Sequence, residues 1–225
     1  MEITPEELVE HFPVLYHMAE AGTWASIKKR GLLSTSALLD LFEIKGQERH
    51  RIEGCRRSEP IPIHHPKYGT AVIRDNKPMN DSALKKCLIG MTPTQWYRLL
   101  NGKVFFWLTP ERVSGLLCAR AYRDREHTVL AIDTAKLLSK YQAHVTLSAI
   151  NSGSTLYNPQ PRGAMTFRSL TKYPFDQWRK KRGSATKAVA ELAVKYEVKD
   201  IDKMVMRVEL RKQSKVLEVL YNLVS

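Results

Sequence analysis

The sequence predicts a mixed α+β fold, two small sheets flanked by helices, in one domain covering residues 1–225. Its strand-like runs are short, and both helices and long loops connect them. No regular alternation of strand and helix runs along the chain, which argues against a doubly wound parallel sheet. No internal repeat or low-complexity linker divides the 225 residues, a length that suits one large domain or two small ones. A hydrophobic fraction of 43% is ordinary for a globular chain and too high for disorder.

Residues 4–12 read as a short helix. Thr4 caps it, Pro5 suits the first helical position, Glu6 and Glu7 favour the first turn, and Pro13 ends it. Val14 to Met18 reads as a strand, with a break at Gly22. Thr23 caps a helix from Trp24 to Arg30, and Gly31 stops it. Ser34 or Ser36 caps the next helix, through Leu38, Leu39, Leu41 and Phe42. Residues 45–82 are rich in charge and proline and form an irregular excursion with one strand, Ala71 to Arg74. Ser82 to Leu88 and Pro93 to Leu100 are helices. Val104 to Leu108 is a strand, followed by a helix near Arg112 to Tyr122. Thr128 to Asp133 is a strand with a short helix after it, and His144 to Ser148 is another strand. Residues 151–187 are mainly loop, punctuated by Gly153, Pro159, Pro161, Gly163 and Pro174. Ala188 to Val194 and Lys203 to Leu210 are strands, and Val216 to Leu223 is a strand or a terminal helix.

The formal net charge of +13 points to a polyanionic partner, with nucleic acid first. No apolar run approaches the ~20 residues of a membrane span, so no membrane partner is expected. The N-terminus is acidic and lacks a secretory pattern, and a cytoplasmic location is expected. Cys55, Cys87 and Cys118 are odd in number and widely spaced, which predicts buried free thiols and no disulfide framework. His64 and His65, with His50, have no Asp, Glu or Cys at ligand spacing, so no metal site is expected.

One carboxylate stands out. Glu191 interrupts the apolar run Ala188-Val-Ala-Glu-Leu-Ala-Val, where an ionised side chain is costly to place on a half-buried strand. The alternation of Val189, Glu191 and Ala193 against Ala190, Leu192 and Val194 also permits a solvent-facing Glu. Glu197 and Glu209 are weaker candidates nearby. Far upstream, Leu15-Tyr-His-Met leads into a helix that ends at Arg30-Gly-Leu-Leu-Ser. Alone, His17 reads as a packed strand histidine with one hydrogen bond, and only beside Glu191 does a functional reading stand level with that one.

Residues 168–187 hold Arg168, Lys172, Arg179, Lys180, Lys181, Arg182 and Lys187 against Asp176 alone, interleaved with Tyr173, Phe175 and Trp178. Cations position phosphates and aromatic faces stack unpaired bases, whereas a solvated basic loop is the plainer alternative. Asn151-Ser-Gly-Ser-Thr and Arg162-Gly-Ala-Met-Thr-Phe are turn-rich and suit either structure or ligand contacts.

These segments together resemble the ADP-ribosyltransferase superfamily. Leu15-Tyr-His-Met with Arg30-Gly-Leu-Leu-Ser is most similar to the opening of the DarT-like toxins that modify DNA bases, and the tRNA 2'-phosphotransferases begin in a related way. Phe105-Phe-Trp-Leu-Thr-Pro-Glu-Arg resembles the aromatic strand before the helix that flanks NAD. Ala190-Glu-Leu-Ala-Val and Ile201-Asp-Lys-Met-Val resemble the glutamate strand and its partner. The resemblance implies a split β-sandwich and NAD as substrate, with no metal. It implies that Glu191 is catalytic and that His17 binds NAD, with backbone groups at Met18 and Ala19 clamping the nicotinamide amide. Arg74, Trp107 and Tyr122 join the NAD site, Arg74 as a fork-shaped phosphate donor or else as a surface ion-pair partner. The family places its acceptor-recognition loop at 168–187, where Arg168, Lys172, Trp178 and Arg179 to Arg182 would hold nucleic acid, DNA ahead of RNA. Position 189 is Val, so the Gln/Glu-x-Glu signature of arginine-modifying toxins is absent. The resemblance further implies a toxin or defence factor restrained by an antitoxin or a reversing hydrolase. Two alternatives stay open: a non-catalytic nucleic-acid-binding module on the same fold, and an RNA 2'-phosphotransferase.

Overall fold

The computed structural model describes residues 2–223. Helix α1 (Pro5–His11) opens with a reciprocal cap: the Thr4 hydroxyl accepts from the Glu7 N–H, and the Glu7 carboxylate accepts from the Thr4 N–H. Strand β1 (Val14–Glu20), α2 (Trp24–Arg30) and the short β2 (Leu32–Leu33) follow. Gly31 ends α2 with φ at 85°, and a Cβ there would lie 2.6 Å from the Lys199 Cα, so conformation and space both demand glycine. Ser34, not Ser36, caps α3 (Thr35–Leu41). The middle of the chain runs α4 (Gly46–Glu53), β3 (Ile61–His65), β4 (Gly69–Ile73), α5 (Asp81–Cys87), β5 (Leu88–Ile89), α6 (Pro93–Asn101) and β6 (Lys103–Phe106). Then come α7 (Pro110–Leu117), β7 (His127–Asp133), α8 (Thr134–Tyr141), β8 (Val145–Ser148), β9 (Arg162–Gly163), α9 (Phe175–Arg182) and α10 (Ala185–Ala188). The chain finishes with β10 (Glu191–Lys195), β11 (Glu197–Val198), β12 (Val205–Lys212) and β13 (Lys215–Asn222).

The fold is mixed α+β with several small sheets. The larger is antiparallel, in the order β1-β7-β12-β13, and a second antiparallel sheet runs β6-β10-β8. Strand alternation sends Leu15, Leu130, Ile132 and Val208 of the first sheet toward Val104, Phe106, Leu147, Leu192 and Val194 of the second, and these form the main core. Among the described residues the sheets are bridged edge to edge at one point: Tyr16 and Trp107 exchange both backbone hydrogen bonds at 2.8 Å. Smaller cores lie under α7 and under the β3–β4 hairpin.

The structure departs from the sequence expectation in four places. The excursion 45–82 holds α4 and a complete hairpin, because β4 pairs residue by residue with β3 despite Pro62. Residues 168–187 are mostly helical: α9 and α10 form there, and the cations of α9 sit in its last turn, where they suit the helix dipole. The expected strand over Ala188 to Val194 starts only at Glu191. Cys118 is exposed, although all three thiols are free. The C-terminal segment resolves as a strand, β13.

Candidate functional site

Beyond the Tyr16–Trp107 bridge lies a cleft of about 1240 Å³. His17 and Met18 from β1, Trp107 after β6 and Glu191 from β10 all line it, as do Arg74 after β4 and Tyr122 after α7. Side chains more than 170 residues apart in sequence therefore meet at one cavity.

His17 has a defined tautomer. Its Nδ1 lies 2.8 Å from the Phe105 carbonyl, which only accepts, so Nδ1 carries the proton. Burial and the nearby Arg74 charge lower its pKa to about 4. At neutral pH the ring is uncharged, and Nε2 is left as an acceptor.

Glu191 is 4% exposed. Its neighbours Leu192 and Val194 face the main core, so Glu191 and Ala193 face the other way. That is the direction the alternation allowed for solvent, but the segment after β8 folds across it. The Ser152 N–H donates to both carboxylate oxygens, at 3.1 and 3.2 Å. Burial raises the pKa to about 7, against the Ser152 hydrogen bond and the charges of Arg162 and Arg112. The solvent-facing alternative for Glu191 is thus excluded. Glu197 and Glu209 are paired instead with Lys199 and with Arg207, at 3.1 and 2.6 Å, and neither lines the cleft.

The other NAD-site expectations resolve individually. Arg74 donates to the Met18 carbonyl at 3.0 Å and lies 5.2 Å over the Tyr122 ring, so it is a half-buried brace on the cleft wall and not a surface ion-pair partner. That bond uses one of the two acceptor positions of the Met18 carbonyl, beside the backbone groups of Met18 and Ala19 expected to clamp an amide. The Tyr122 hydroxyl donates to Asp75, and burial pushes its pKa up to about 12.

The basic segment is not part of the cleft wall. Arg168, Lys172, Arg179, Lys180 and Lys181 line neither this cleft nor its neighbour. Arg179 pairs with Asp176 at 3.0 Å. Trp178 packs against the main core, with Lys181 and Arg182 over its ring at 5.0 and 4.7 Å, so its aromatic face is already in use. Arg182 alone of the set reaches a hollow beside the cleft.

Three contributors were not assigned from sequence: Ser152, Arg112 and Arg162. Arg162 is 3% exposed and donates to the carbonyls of Ser152 and Ser154 at 3.1 and 2.8 Å, holding the segment that caps Glu191. The turn-rich clusters around 151–155 and 162–167 carried that signal without revealing its object. Among the described residues no group of three or more His, Cys, Asp or Glu side chains is placed to hold a metal, and no helix is long and apolar enough to cross a membrane.

No curated protein matches this sequence. A family profile does match residues 13–205, a span that holds His17, Glu191 and every strand of the second sheet. The chain belongs to that family, described as Family of unknown function (DUF7002).

Proposed function

We propose that this protein is an NAD-dependent ADP-ribosyltransferase of split β-sandwich architecture that modifies a nucleic-acid base, DNA ahead of RNA. The observation that carries the reading is the pairing of a neutral His17 with a buried Glu191 on one cleft beside the Tyr16–Trp107 bridge between two sheets. The cleft volume of about 1240 Å³ exceeds the usual range for small-ligand sites, leaving space for an acceptor beside a dinucleotide.

In this reading Nε2 of His17 accepts from a ribose hydroxyl. The bond from nicotinamide nitrogen to ribose C1 breaks with its electron pair leaving on nicotinamide. The cationic sugar is stabilised by ionised Glu191, whose hydrogen bond to the adjacent hydroxyl strengthens as charge builds, as in glycoside cleavage. A base nitrogen then bonds to C1, and its proton passes to Glu191. Because the pKa of Glu191 is raised to about 7, turnover rises with pH through neutrality. A role as toxin or defence factor, with a restraining partner, goes with this activity.

The test is nicotinamide release from NAD, with and without an unphosphorylated single-stranded DNA, together with the mass of the DNA. Release coupled to a gain of one ADP-ribose is expected, and no release would overturn the reading. An RNA 2'-phosphotransferase is the second reading, favoured by the arginines beside Glu191. It needs a 2'-phosphorylated RNA for turnover, so release with plain DNA excludes it.

A further inference from the structure

Next to Glu191 the cleft adjoins a hollow of about 350 Å³. Arg112, Arg162 and Arg182 line it, and among the described residues none of them pairs with a carboxylate. Arg162 and Arg182 direct donors to backbone carbonyls, Arg182 to those of Lys187 and Ala149. The side chain of Arg112 donates no hydrogen bond to any described residue. Burial and the Arg182 charge lower its pKa, against the opposing charge of Glu191. Guanidinium groups fit phosphate oxygens in two-point fashion, so an anionic phosphate is the group this hollow suits.

Tyr157 stands at the rim and lines both cavities. It is 96% exposed, and it and Asn158 both hold φ at 52°. A left-handed backbone is one that L residues rarely adopt, and here the pair displays an aromatic ring to solvent. An exposed ring beside phosphate-binding cations is the arrangement that stacks an unpaired base.

We propose that the hollow between Arg112, Arg162 and Arg182 receives a phosphodiester of a single-stranded acceptor, while Tyr157 stacks on a base next to the one presented to Glu191. This rests on the transferase reading for the role of Glu191, but the contact itself needs no NAD. It places the acceptor on the segment after β8 and not on the exposed cations of α9.

The experiment is fluorescence-anisotropy binding of a labelled single-stranded DNA of mixed sequence to the full chain without NAD, across a salt series. Tyr157→Ala should weaken binding by about 5- to 150-fold with little change in salt slope. Arg112→Gln should flatten the slope of log affinity against log salt by about 0.7. Among the described residues neither side chain makes a hydrogen bond, so both variants should melt like the wild type, and a melt confirms it. Wild-type affinity and slope in both variants would overturn the proposal. So would an Arg112→Gln loss of NAD affinity equal to its loss of DNA affinity, which would give the hollow to the dinucleotide pyrophosphate. Absence of DNA binding by the wild type also overturns it, while nicotinamide release, measured separately, still decides the transferase reading.

Discussion

The wall around Glu191 and the exposed turn of α9 are both rich in charge, and they hold it in opposite ways. On α9, Arg179 pairs with Asp176, and Lys180 and Lys181 face solvent at the helix end their charge favours. Such groups are solvated and cost little to keep. Around Glu191, the buried carboxylate and the buried Arg162 stand beside the half-buried Arg112 and Arg182, and their pairing is incomplete: Ser152 donates to Glu191, and among the described residues the Arg112 side chain donates no hydrogen bond. The fold sustains that arrangement only because Arg162 fixes the segment that covers it. The count of cations singled out α9, whereas the desolvation of charge singles out the cleft.

The largest expected difference between the two regions is catalytic. Glu191→Gln should lower nicotinamide release by about 10²- to 10³-fold, the scale for losing one electrostatic stabiliser, while the triple alanine variant at Arg179, Lys180 and Lys181 keeps its NAD turnover. A steady-state assay of both variants makes the comparison, and equal losses would erase it.

Stability should separate them next. Glu191 binds its proton more tightly in the folded state, so it stabilises the fold below about pH 4.5 and that contribution is lost as pH rises through about 7. His17 has its pKa lowered to about 4, so its contribution is present above 6.5 and is lost as pH falls toward 4. Each contribution is on the order of 3 kcal/mol. Relative to the wild type, Glu191→Gln should gain stability as pH rises from 4.5 to 7, and His17→Gln should gain it as pH falls from 6.5 to 4. Urea titrations at four or five pH values measure both differences, and flat differences would mean that neither group is desolvated.

The same comparison explains what could be read in the sequence. Glu191 and His17 were legible because a polar residue in an apolar run violates the expected pattern. Gly31 was legible because a helix stop needs a positive φ. The cover over Glu191 was not, since burial of that strand face depends on a loop 39 residues upstream whose contact is one backbone N–H. The α9 helix was hidden too, because a run of four cations after Trp178 has little amphipathic period and looks like a solvated loop.

Arg162→Gln should cost about 2–3 kcal/mol, because charged hydrogen bonds to the three carbonyls of Ser152, Ser154 and Gln160 are lost in a buried setting. It should also alter the pH profile of turnover by loosening Ser152 over Glu191. A thermal melt at the same loss with an unchanged profile would confine Arg162 to stability. The smallest effect belongs to α9: its triple alanine variant should change stability by about 0.5 kcal/mol or less, as for ordinary surface pairs.

The central claim is that the cationic nicotinamide ring binds beside Glu191, and proton release on NAD binding tests it most directly. Calorimetric titrations at pH 7 in two buffers of different ionisation enthalpy give the number of protons exchanged. With a free pKa of about 7, a positive ring beside the carboxylate should expel about half a proton from the wild type. Glu191→Gln should bind NAD and release none. Equal release from the two proteins, or none from the wild type while it binds NAD, would contradict the assignment of Glu191 to the site.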